Sequence, residues 1–487
     1  MMIVLYSILG ALAVLVAIIA LNTWIKKPSK RKEGVAKFES DLERDKIAKH
    51  LSGMIQLKTL TASSMDGFDK EAFLGLHKYL EKTYPLVHKT LGREVVNEYS
   101  LIYKWTGSGS QKKPFLMMAH MDVVPVDERT AGDWEHDAFS GAIADGYVWG
   151  RGALDMKGHL TAVMEAVEKL ISDGFAPQRD VYIALGHDEE SMGTLGAQKC
   201  VEVLKKRGES FEFVIDEGGV LMDGTMLSVN ADVAAIGICE KGYADIRLSV
   251  ASKGGHASRP PKQTAVGTLC RAIVAIEKHQ MKPTLNEAMK HMLDCVGGYM
   301  KFPLNVIVSN MWLFRPLLLI GLAAGSNGAA MVRTTMAPTM LAGSTATNVL
   351  AEKAEAVINC RISPDDTVQG VLDHIRKVIG NDDVIVEEIK AFAASRVSDT
   401  DSEGFATIAR TVEQMFGEFV VAPYLMVAAT DSKFYSDISD GVFLFQPFRS
   451  VMQDLSTIHA VNERMGVESL SEGVEFFAQL VRNADER

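Results

Sequence analysis

The sequence predicts an α/β protein in which a mostly parallel sheet carries a smaller α+β insertion, all behind one N-terminal transmembrane helix. Three observations lead to this fold class. Apolar runs of strand length alternate with helical segments from about residue 115 to residue 215. Between about residues 242 and 389 the order changes to that of a separate α+β unit. The chain begins with an uncharged apolar run from Ile3 to Leu21, close to the roughly 20 residues that cross a bilayer.

Length and composition limit what this fold can be. The 487 residues are enough for two or three domains. A content of 47% hydrophobic and 23% charged residues, with 40 glycines and only 14 prolines, is typical of a globular protein. The net charge of −11 repels phosphate backbones, so we expect no nucleic-acid partner. The five cysteines form no CxxC pair, so neither a disulfide framework nor a thiolate metal site is predicted.

Residues 1–34 are predicted to be a membrane anchor with a basic juxtamembrane segment. Trp24 follows the apolar run as an interfacial aromatic residue, and a basic cluster comes after it, formed by Lys26, Lys27, Lys30, Arg31 and Lys32. No small-x-small cleavage site follows the run, which favours an uncleaved single span over a signal peptide. Because the basic cluster lies after the span, the positive-inside rule by itself places the body in the cytoplasm.

Residues 35–241 are predicted to be the first part of the catalytic domain. The apolar spacing over Val35 to Leu60 and Ala72 to Leu91, interrupted at Pro85, indicates helices. The strands and helices that follow are predicted at Phe115–Ala119, Gly158–Leu170, Val181–Leu185, Gly196–Leu204 and Phe211–Ile215. Chemistry in such sheets collects at the carboxyl ends of the strands.

Residues 242–392 are predicted to be the inserted domain, and residues 393–487 return to the first domain with strand Val442–Phe445. The predicted elements of the insert are strand Ala244–Val250, helix Thr264–Lys278, strand Ala354–Ile362, helix Val368–Val378 and strand Val384–Ile389. The insert also contains an apolar stretch from Phe302 to Gly325, which polar residues and a proline interrupt. We interpret this stretch as a packed helix or a surface patch and not as a second span.

Groups that can bind a metal follow two of the predicted strands. His120 and Asp122 come directly after the first strand and point the same way. Glu189 and Glu190 follow the second and offer one carboxylate for a cation and one to hold a proton. Taken alone, each pair has an ordinary alternative, because a structural histidine or a solvated acidic turn gives the same pattern.

Further groups extend the pattern. Asp155 lies in a glycine-rich segment just before a helix, Asp216 and Glu217 follow the third strand, and His459 follows the last. Because these positions should be neighbours at one edge of the sheet, their coincidence indicates a metal site. Oxygen and imidazole donors without thiolate suit two zinc or similar ions bridged by a carboxylate and a water. We find no HExxH helix, no GxSxG elbow and no GxxxxGK loop, so a serine-nucleophile or nucleotide-binding function has no motif.

These motifs closely resemble the aminoacylase and glutamate carboxypeptidase family of co-catalytic zinc amidohydrolases, over nearly the whole chain after the anchor. The segments that carry the resemblance are His120-Met-Asp122-Val-Val-Pro125, Gly150-Arg-Gly-x-x-Asp155-Met-Lys-Gly158, Asp188-Glu189-Glu190, Asp216-Glu217-Gly218-Gly219, Gly254-Gly-His-Ala-Ser258 and Ile458-His459. Within the family, the chain looks most like vacuolar carboxypeptidase S and the N-fatty-acyl-amino-acid hydrolases. The resemblance implies a zinc-peptidase-like catalytic domain and a ferredoxin-like domain that acts as lid and dimerisation surface.

The resemblance also implies a metal ligand set. Asp155 and a water would bridge two zinc ions per chain. His120 and Glu217 would hold one ion, and Glu190 and His459 would hold the other. The bridging aspartate is often followed by a cis peptide in this family.

Two further roles in the first domain follow from the resemblance. Glu189 would be the general base, and Asp122 would fix the ring and the tautomer of His120. Asp216 stays open as the alternative to Glu217 as a metal ligand.

For the insert, the resemblance implies residues that contact the substrate. His256 would stabilise the oxyanion, either within its own chain or across a homodimer. Asn348 and Arg361 would position the substrate, with the Arg361 guanidinium on its α-carboxylate. The chain departs from the family at Ala351, where a proline is usual, and a structural ion pair remains the alternative for Arg361.

The function expected from these residues is metal-dependent hydrolysis of an amide bond next to a free carboxylate, in small peptides or N-acyl amino acids. A dipeptidase of the same family and a catalytically silent membrane-tethered binding protein are the alternatives. If the apolar stretch of the insert lines the acyl side of the cleft or contacts lipid, long N-acyl amino acids should be preferred. The relatives work in a vacuole lumen or outside the cell, which favours an extracytoplasmic body and opposes the charge rule, so both sides remain open.

Overall fold

The computed structural model describes residues 2–26, 41–61, 68–109, 111–417, 419–449 and 452–486. An eight-stranded mixed sheet and a four-stranded antiparallel sheet are the two main layers of this part of the chain. Phe38 of the first predicted helix and four of the five basic residues after the anchor lie outside the described residues.

The first half of the chain supplies the anchor helix and most of the large sheet. Its helices are α1 (Met2–Ile25), α2 (Arg44–Ile55), α3 (Lys70–Thr83), α4 (Pro85–Thr90), α5 (Gly158–Ser172) and α6 (Ala197–Lys206). Its strands are β1 (Gly92–Val96), β2 (Ser100–Trp105), β3 (Phe115–His120), β4 (Ile143–Ala144), β5 (Tyr147–Trp149), β6 (Val181–Gly186), β7 (Phe211–Met222) and β8 (Val233–Glu240). Pro85 is the first residue of α4, where its missing amide proton costs no hydrogen bond, which explains the predicted interruption.

The second half contains the small sheet and returns to the large one. Its helices are α7 (Ala265–Lys278), α8 (Glu287–Val296), α9 (Leu304–Ser309), α10 (Met311–Ala324), α11 (Ser326–Val332), α12 (Val368–Ile379), α13 (Glu403–Met415), α14 (Met452–Leu455) and α15 (Val467–Asp485). Its strands are β9 (Gly242–Ala251), β10 (Gly255–His256), β11 (Thr335–Ala342), β12 (Val349–Leu350), β13 (Lys353–Ile362), β14 (Ile385–Phe392), β15 (Val420–Met426), β16 (Ser439–Arg449) and β17 (Arg464–Gly466).

The large sheet has the strand order β1-β2-β6-β3-β7-β16-β8-β15, and its centre is parallel. Alternate residues of β3 enter different cores: Met117 packs with α5 and α15, whereas Met118 packs with α6. Because both faces are covered, β3 and β6 are apolar over nearly their whole length, as in other buried parallel sheets. The predicted α/β class with a mostly parallel sheet is confirmed.

The small sheet has the order β11-β13-β9-β14 and is antiparallel throughout. The chain visits it as strand, helix, strand, strand, helix, strand, which is the split βαβ arrangement of ferredoxin-like domains. Helices α7 and α12 pack on one face, and their side chains share a core with the inward residues of β9 and β13. Strand β9 starts only two residues after β8 ends, so the two sheets are joined by a short connection.

Helices α8 to α11 lie apart from the small sheet, although they fall within the predicted insert. Helix α8 packs on β15, the edge strand of the large sheet, and Met292 and Leu293 share a cluster with Tyr424. Helix α9 contacts α1. An edge strand with an apolar face needs a cover, and α8 supplies it.

The structure has longer strands than predicted, and it has additional ones. Strand β7 continues through Asp216 and Glu217 to Met222, because the glycines after them do not end it. A Cβ atom on Gly219 would lie 2.0 Å from the Ala235 carbonyl, so glycine allows the close approach of β8. Five strands, β1, β2, β8, β11 and β15, were not predicted from the sequence. Their segments mix polar and apolar residues or contain glycine or proline, so they lack a clear strand pattern.

Candidate metal centre

The predicted metal-binding groups meet at the carboxyl edge of the large sheet. His120 is the last residue of β3, and Glu189 and Glu190 lie in a 3₁₀ turn just after β6. Glu217 lies on β7, beside β3, and His459 follows β16. These positions become neighbours because parallel strands end at the same edge.

Asp155 lies between the two histidines. Its Oδ1 atom is 3.0 Å from Nε2 of His120, and its Oδ2 atom is 2.9 Å from Nε2 of His459. The peptide that follows, Asp155–Met156, is cis, as the resemblance implied. The Asp155 carboxylate thus directs one oxygen to His120 and the other to His459.

Each histidine has a second acidic neighbour. The Glu190 Oε1 atom is 3.1 Å from Nε2 of His459, and the Glu217 Oε1 atom is 3.6 Å from Nε2 of His120. Glu189 belongs to the His120 side, where a ring nitrogen of His120 and carboxylate oxygens of Glu189 and Glu217 lie within 4.8 Å of one another. Asp216 points elsewhere, because its Oδ2 atom accepts a hydrogen bond from the Ser432 amide.

Asp122 connects the glutamate turn to β3. Its two carboxylate oxygens accept hydrogen bonds from the amides of Glu189 and Glu190, each at 3.1 Å. Nδ1 of His120 is 2.9 Å from the Asp122 carbonyl oxygen and 3.4 Å from its carboxylate. Asp122 is fully buried, so it holds both the histidine ring and the turn that carries the glutamates.

A second pair, Arg151 and Glu463, supports the segment that carries Asp155 and was not predicted from the sequence. Oε1 of the buried Glu463 accepts hydrogen bonds from the Leu154 and Asp155 amides, and Oε2 pairs with Arg151. Arg151 stands in the quoted glycine motif, but nothing marks Glu463, which lies in a short polar segment far along the chain. Its role is visible only when the loop before β17 packs against the Asp155 segment.

The centre has an excess of buried negative charge. Burial raises the pKa of Glu189, Glu190 and Glu217, and neighbouring carboxylates raise it further. Burial also opposes ionisation of Asp155, but its hydrogen bonds to His120 and His459 hold its pKa below the usual range. Crowded buried carboxylates need a compensating charge. A donor set of carboxylate oxygens and imidazole nitrogens therefore fits divalent cations.

A cavity of about 450 Å³ opens over this centre and lies between the two sheets. Its floor includes Asp155, Glu189 and His459, and its opposite wall includes Tyr243 and Arg361 from the small sheet. The Arg361 guanidinium stacks on the Tyr243 ring at 5.0 Å. Within the described residues, no carboxylate forms an ion pair with Arg361, which disfavours the structural ion pair that the sequence left open.

His256 and Asn348 are placed differently. His256 forms the short β10 strand, which pairs with β12, and the Ala257 amide donates to the Asn348 carbonyl. The two residues thus lie together, but both are exposed, and neither is among the residues that line the cavity.

Amide hydrolysis at a two-metal centre uses a bridging ligand, terminal donors, a base beside them and room for the substrate. The centre and the cavity above it provide all four, and the fold and site together define a metal-dependent hydrolase of amide bonds. The chain belongs to peptidase family M20/M25/M40, whose model matches residues 116–483.

Curated relatives and solved structures agree with this assignment. The chain is 36% identical to "Probable carboxypeptidase S-like 2" of Dictyostelium discoideum, over 92% of this chain and 86% of that protein. It is 35% identical to the human "N-fatty-acyl-amino acid synthase/hydrolase PM20D1", over 91% of this chain and 88% of that protein. The crystal structure of the M20 family metallo-carboxypeptidase Sso-CP2 from Sulfolobus solfataricus has the same fold, with a TM-score of 0.67 at 18% identity, covering 90% of this chain and 99% of that one.

Proposed function

We propose that this protein is a membrane-tethered di-zinc amidohydrolase that removes the acyl group from N-acyl amino acids or the last residue from small peptides. The observation that carries the proposal is Asp155, whose two oxygens each face a different histidine. The names of the carboxypeptidase S-like and PM20D1 relatives support the substrate class. We further propose that α1 crosses a membrane once and that the body lies on the extracytoplasmic side.

The proposed ligand set divides the centre into two halves that share Asp155. His120 and Glu217 complete one half, and Glu190 and His459 complete the other. The half-exposed His459 lies at the mouth of the site, whereas His120 is buried at its base. Two zinc ions held by these residues would supply Lewis-acid chemistry, acidifying the attacking water and polarising the scissile carbonyl.

Glu189 is proposed to move the proton. It lies in the cavity, belongs to no hydrogen-bonded pair with either histidine, and is held through its amide by Asp122. From this position it takes a proton from the attacking water and returns it to the leaving amine. Burial and the neighbouring carboxylates raise its pKa and increase its basicity, which suits a base.

Arg361 is proposed to bind the free carboxylate of the substrate. Its planar guanidinium offers two parallel hydrogen bonds, which the Lys ammonium does not. We expect Arg361→Lys to raise KM about 10- to 100-fold, since hydrogen bonds to a charged group contribute about 1.5–3 kcal/mol, and to change kcat much less. Steady-state kinetics measure both, and Arg247→Lys on the neighbouring strand β9 is the matched control. An unchanged KM would contradict the role.

The substrate class is tested with one amino acid that carries acyl chains from acetyl through octanoyl to oleoyl, beside a set of dipeptides. A second cavity of about 700 Å³ shares Met192, Phe392 and Lys433 with the first, so the cleft has room for an extended chain. We expect kcat/KM to rise with chain length, by at most about fourfold per methylene, since one buried methylene contributes about 0.8 kcal/mol. A flat profile would remove the preference, and dipeptides as the best substrates would favour the dipeptidase alternative.

The silent binding protein is disfavoured by the completeness of the centre. A protein that kept the fold but lost the chemistry would be expected to lack Glu189 or one of the metal donors, and all of them are brought together.

We also propose a homodimer through the small sheet, in which His256 serves the partner's site. Strand β11 is the edge of that sheet and exposes Met340 and Leu341, an apolar edge that favours pairing with a second copy. His256 is exposed and does not line the cavity of its own chain. We therefore propose that it acts in the cavity of the partner.

This arrangement predicts complementation between two inactive variants. Glu189→Gln chains keep His256 but lack the base, whereas His256→Ala chains keep the base. After mixing and subunit exchange, we expect about a quarter of wild-type activity, since half of the dimers are mixed and each has one intact site. Light scattering verifies the dimer, and unmixed samples are the controls. Absence of recovery in proven mixed dimers would place His256 in its own chain's reaction or outside the chemistry.

A further inference from the structure

Helix α10 and the residue Phe302 before it form an unusual exposed apolar surface, here called the α10 face. Its exposed side chains are Phe302, Trp312, Leu313, Leu317 and Ile320. Phe302 is 81% and Ile320 69% exposed, and only Leu318 of the helix is buried. One side of α10 packs on the body through Met311, Leu318 and Leu322, and the open, apolar opposite side marks an interaction surface.

The α10 face is fixed to the C-terminal end of α1. The buried Asn310, at the junction of α9 and α10, donates from Nδ2 to the Ile19 carbonyl and to the Thr23 hydroxyl. Its Oδ1 accepts from Nδ2 of Asn22 at 3.1 Å. Lys26 then pairs with Asp294 of α8 at 2.8 Å. These contacts place α10 where α1 would leave a bilayer.

Length excludes a second crossing by α10. The 24 residues of α1 extend about 36 Å, enough for the roughly 30 Å hydrocarbon core, whereas the 14 residues of α10 extend only about 21 Å. An apolar helix of this length that is not buried in protein is typical of a segment lying in the membrane interface. Trp312 and Phe302 are aromatic residues of the kind found at that depth.

The charge of this region also suits a membrane surface. Between Asp294 and Glu352 the sequence has no acidic residue, although the chain as a whole carries a net charge of −11. The same stretch contains Lys301, Arg315 and Arg333. Lys301 and Arg315 are exposed, so the apolar helix is surrounded by a surface with no acidic side chain of its own segment to repel phospholipid headgroups.

We propose that the α10 face is a second membrane contact, which lies flat in the leaflet that α1 leaves and seats the body on the bilayer. The inference rests on the membrane-tethered part of the proposed function. It extends that part, because a single span would leave the body free to rotate, whereas two contacts fix its orientation.

The five tryptophans permit a direct test in the full-length protein. Trp24 lies on α1, and Trp312 lies on α10. The remaining three, Trp105, Trp134 and Trp149, are buried or half-buried in the body. The protein is reconstituted in vesicles of phosphatidylcholine and phosphatidylglycerol whose acyl chains carry bromine near the headgroup or near the methyl end. Bromine quenches tryptophan fluorescence on contact.

In the Trp24→Phe variant we expect clear quenching, stronger with the shallow bromines, and we expect that component to vanish in the Trp24→Phe/Trp312→Phe variant. Equal quenching in both variants would overturn the proposal, and it is also the result expected if a second copy covers the face. The difference between the Trp312→Phe variant and the double variant reports on Trp24. It therefore shows separately whether α1 is embedded, so failure of the anchor is distinguished from failure of the α10 face.

A second set of variants separates docking from folding. In the Trp24→Phe background, Leu317→Glu/Ile320→Glu places charge on the exposed side of α10, and we expect it to abolish the Trp312 component. Turnover of a short soluble N-acetyl amino acid should stay within about twofold, since neither side chain lines the cavity over the metal centre. Val95→Glu, at an exposed apolar position of β1, is the matched control and should leave the quenching unchanged. Persistent quenching in the double glutamate variant would contradict the assigned face.

Discussion

Replacing Asp155 with alanine is expected to empty both halves of the metal centre and to lower kcat by at least about three orders of magnitude. The reason is geometric, because its two oxygens face His120 and His459 at 3.0 and 2.9 Å, and no other described carboxylate contacts both histidines so closely. Metal ions contribute several kcal/mol to stabilising such transition states, and each 1.36 kcal/mol is tenfold in rate. Elemental analysis after gel filtration should show about two metals per wild-type chain and well below one in the variant.

Single replacements on either side provide the controls. His120→Ala and His459→Ala should each remove about one metal per chain, because each histidine serves only one half. Glu217→Gln should behave like His120→Ala, whereas Asp216→Asn should retain both metals, since its carboxylate accepts from the Ser432 amide. Thermal unfolding of the metal-free proteins checks that the fold survives. Two metals and wild-type turnover in Asp155→Ala would contradict the bridging role.

The residues that the sequence proposes as metal donors lie close together because the rule that places them is local. A strand of buried residues followed at once by His, Asp or Glu puts those side chains at the sheet edge, and parallel packing brings the edges of β3, β6 and β7 together. The sequence left Asp216 and Glu217 as alternatives, and in the structure Glu217 is the one that faces His120. Adjacent residues on a strand point to opposite faces, and only the neighbours of β7 reveal which of the two faces His120.

Long-range contacts were beyond the sequence. Glu463 has no motif of its own, yet it holds the amides of Leu154 and Asp155 from a position more than 300 residues away. The apolar stretch in the insert was predicted as a packed helix or a surface patch, and the structure shows the exposed α10 beside α1. Composition alone cannot distinguish those environments, because a buried helix and an interfacial helix have the same apolar residues.

Glu189→Gln is expected to keep both metals and to lose about 100- to 10,000-fold in kcat, the usual contribution of general-base catalysis. Glutamine has nearly the same shape and preserves the amide hydrogen bond to Asp122, but it cannot take a proton. Glu190→Gln is the matched comparison at the next position, and it should lose about one metal, because Glu190 contacts His459 at 3.1 Å. The two variants should therefore differ in kind: Glu189→Gln should lower turnover, and Glu190→Gln should lower the metal content.

The pH profile distinguishes a proton-transfer role from a structural one. Activity that depends on an ionised Glu189 rises with pH through the pKa of that carboxylate, which gives the acid limb of kcat/KM. In Glu189→Gln the residual activity should lack this limb, whereas a variant that only distorts the site would keep it at lower amplitude. Measuring kcat/KM at several pH values, and the metal content of the same samples, gives both the pH profile and the metal occupancy. If Glu189→Gln turns over substrate at nearly the wild-type rate, or keeps the acid limb unchanged, another group carries the proton.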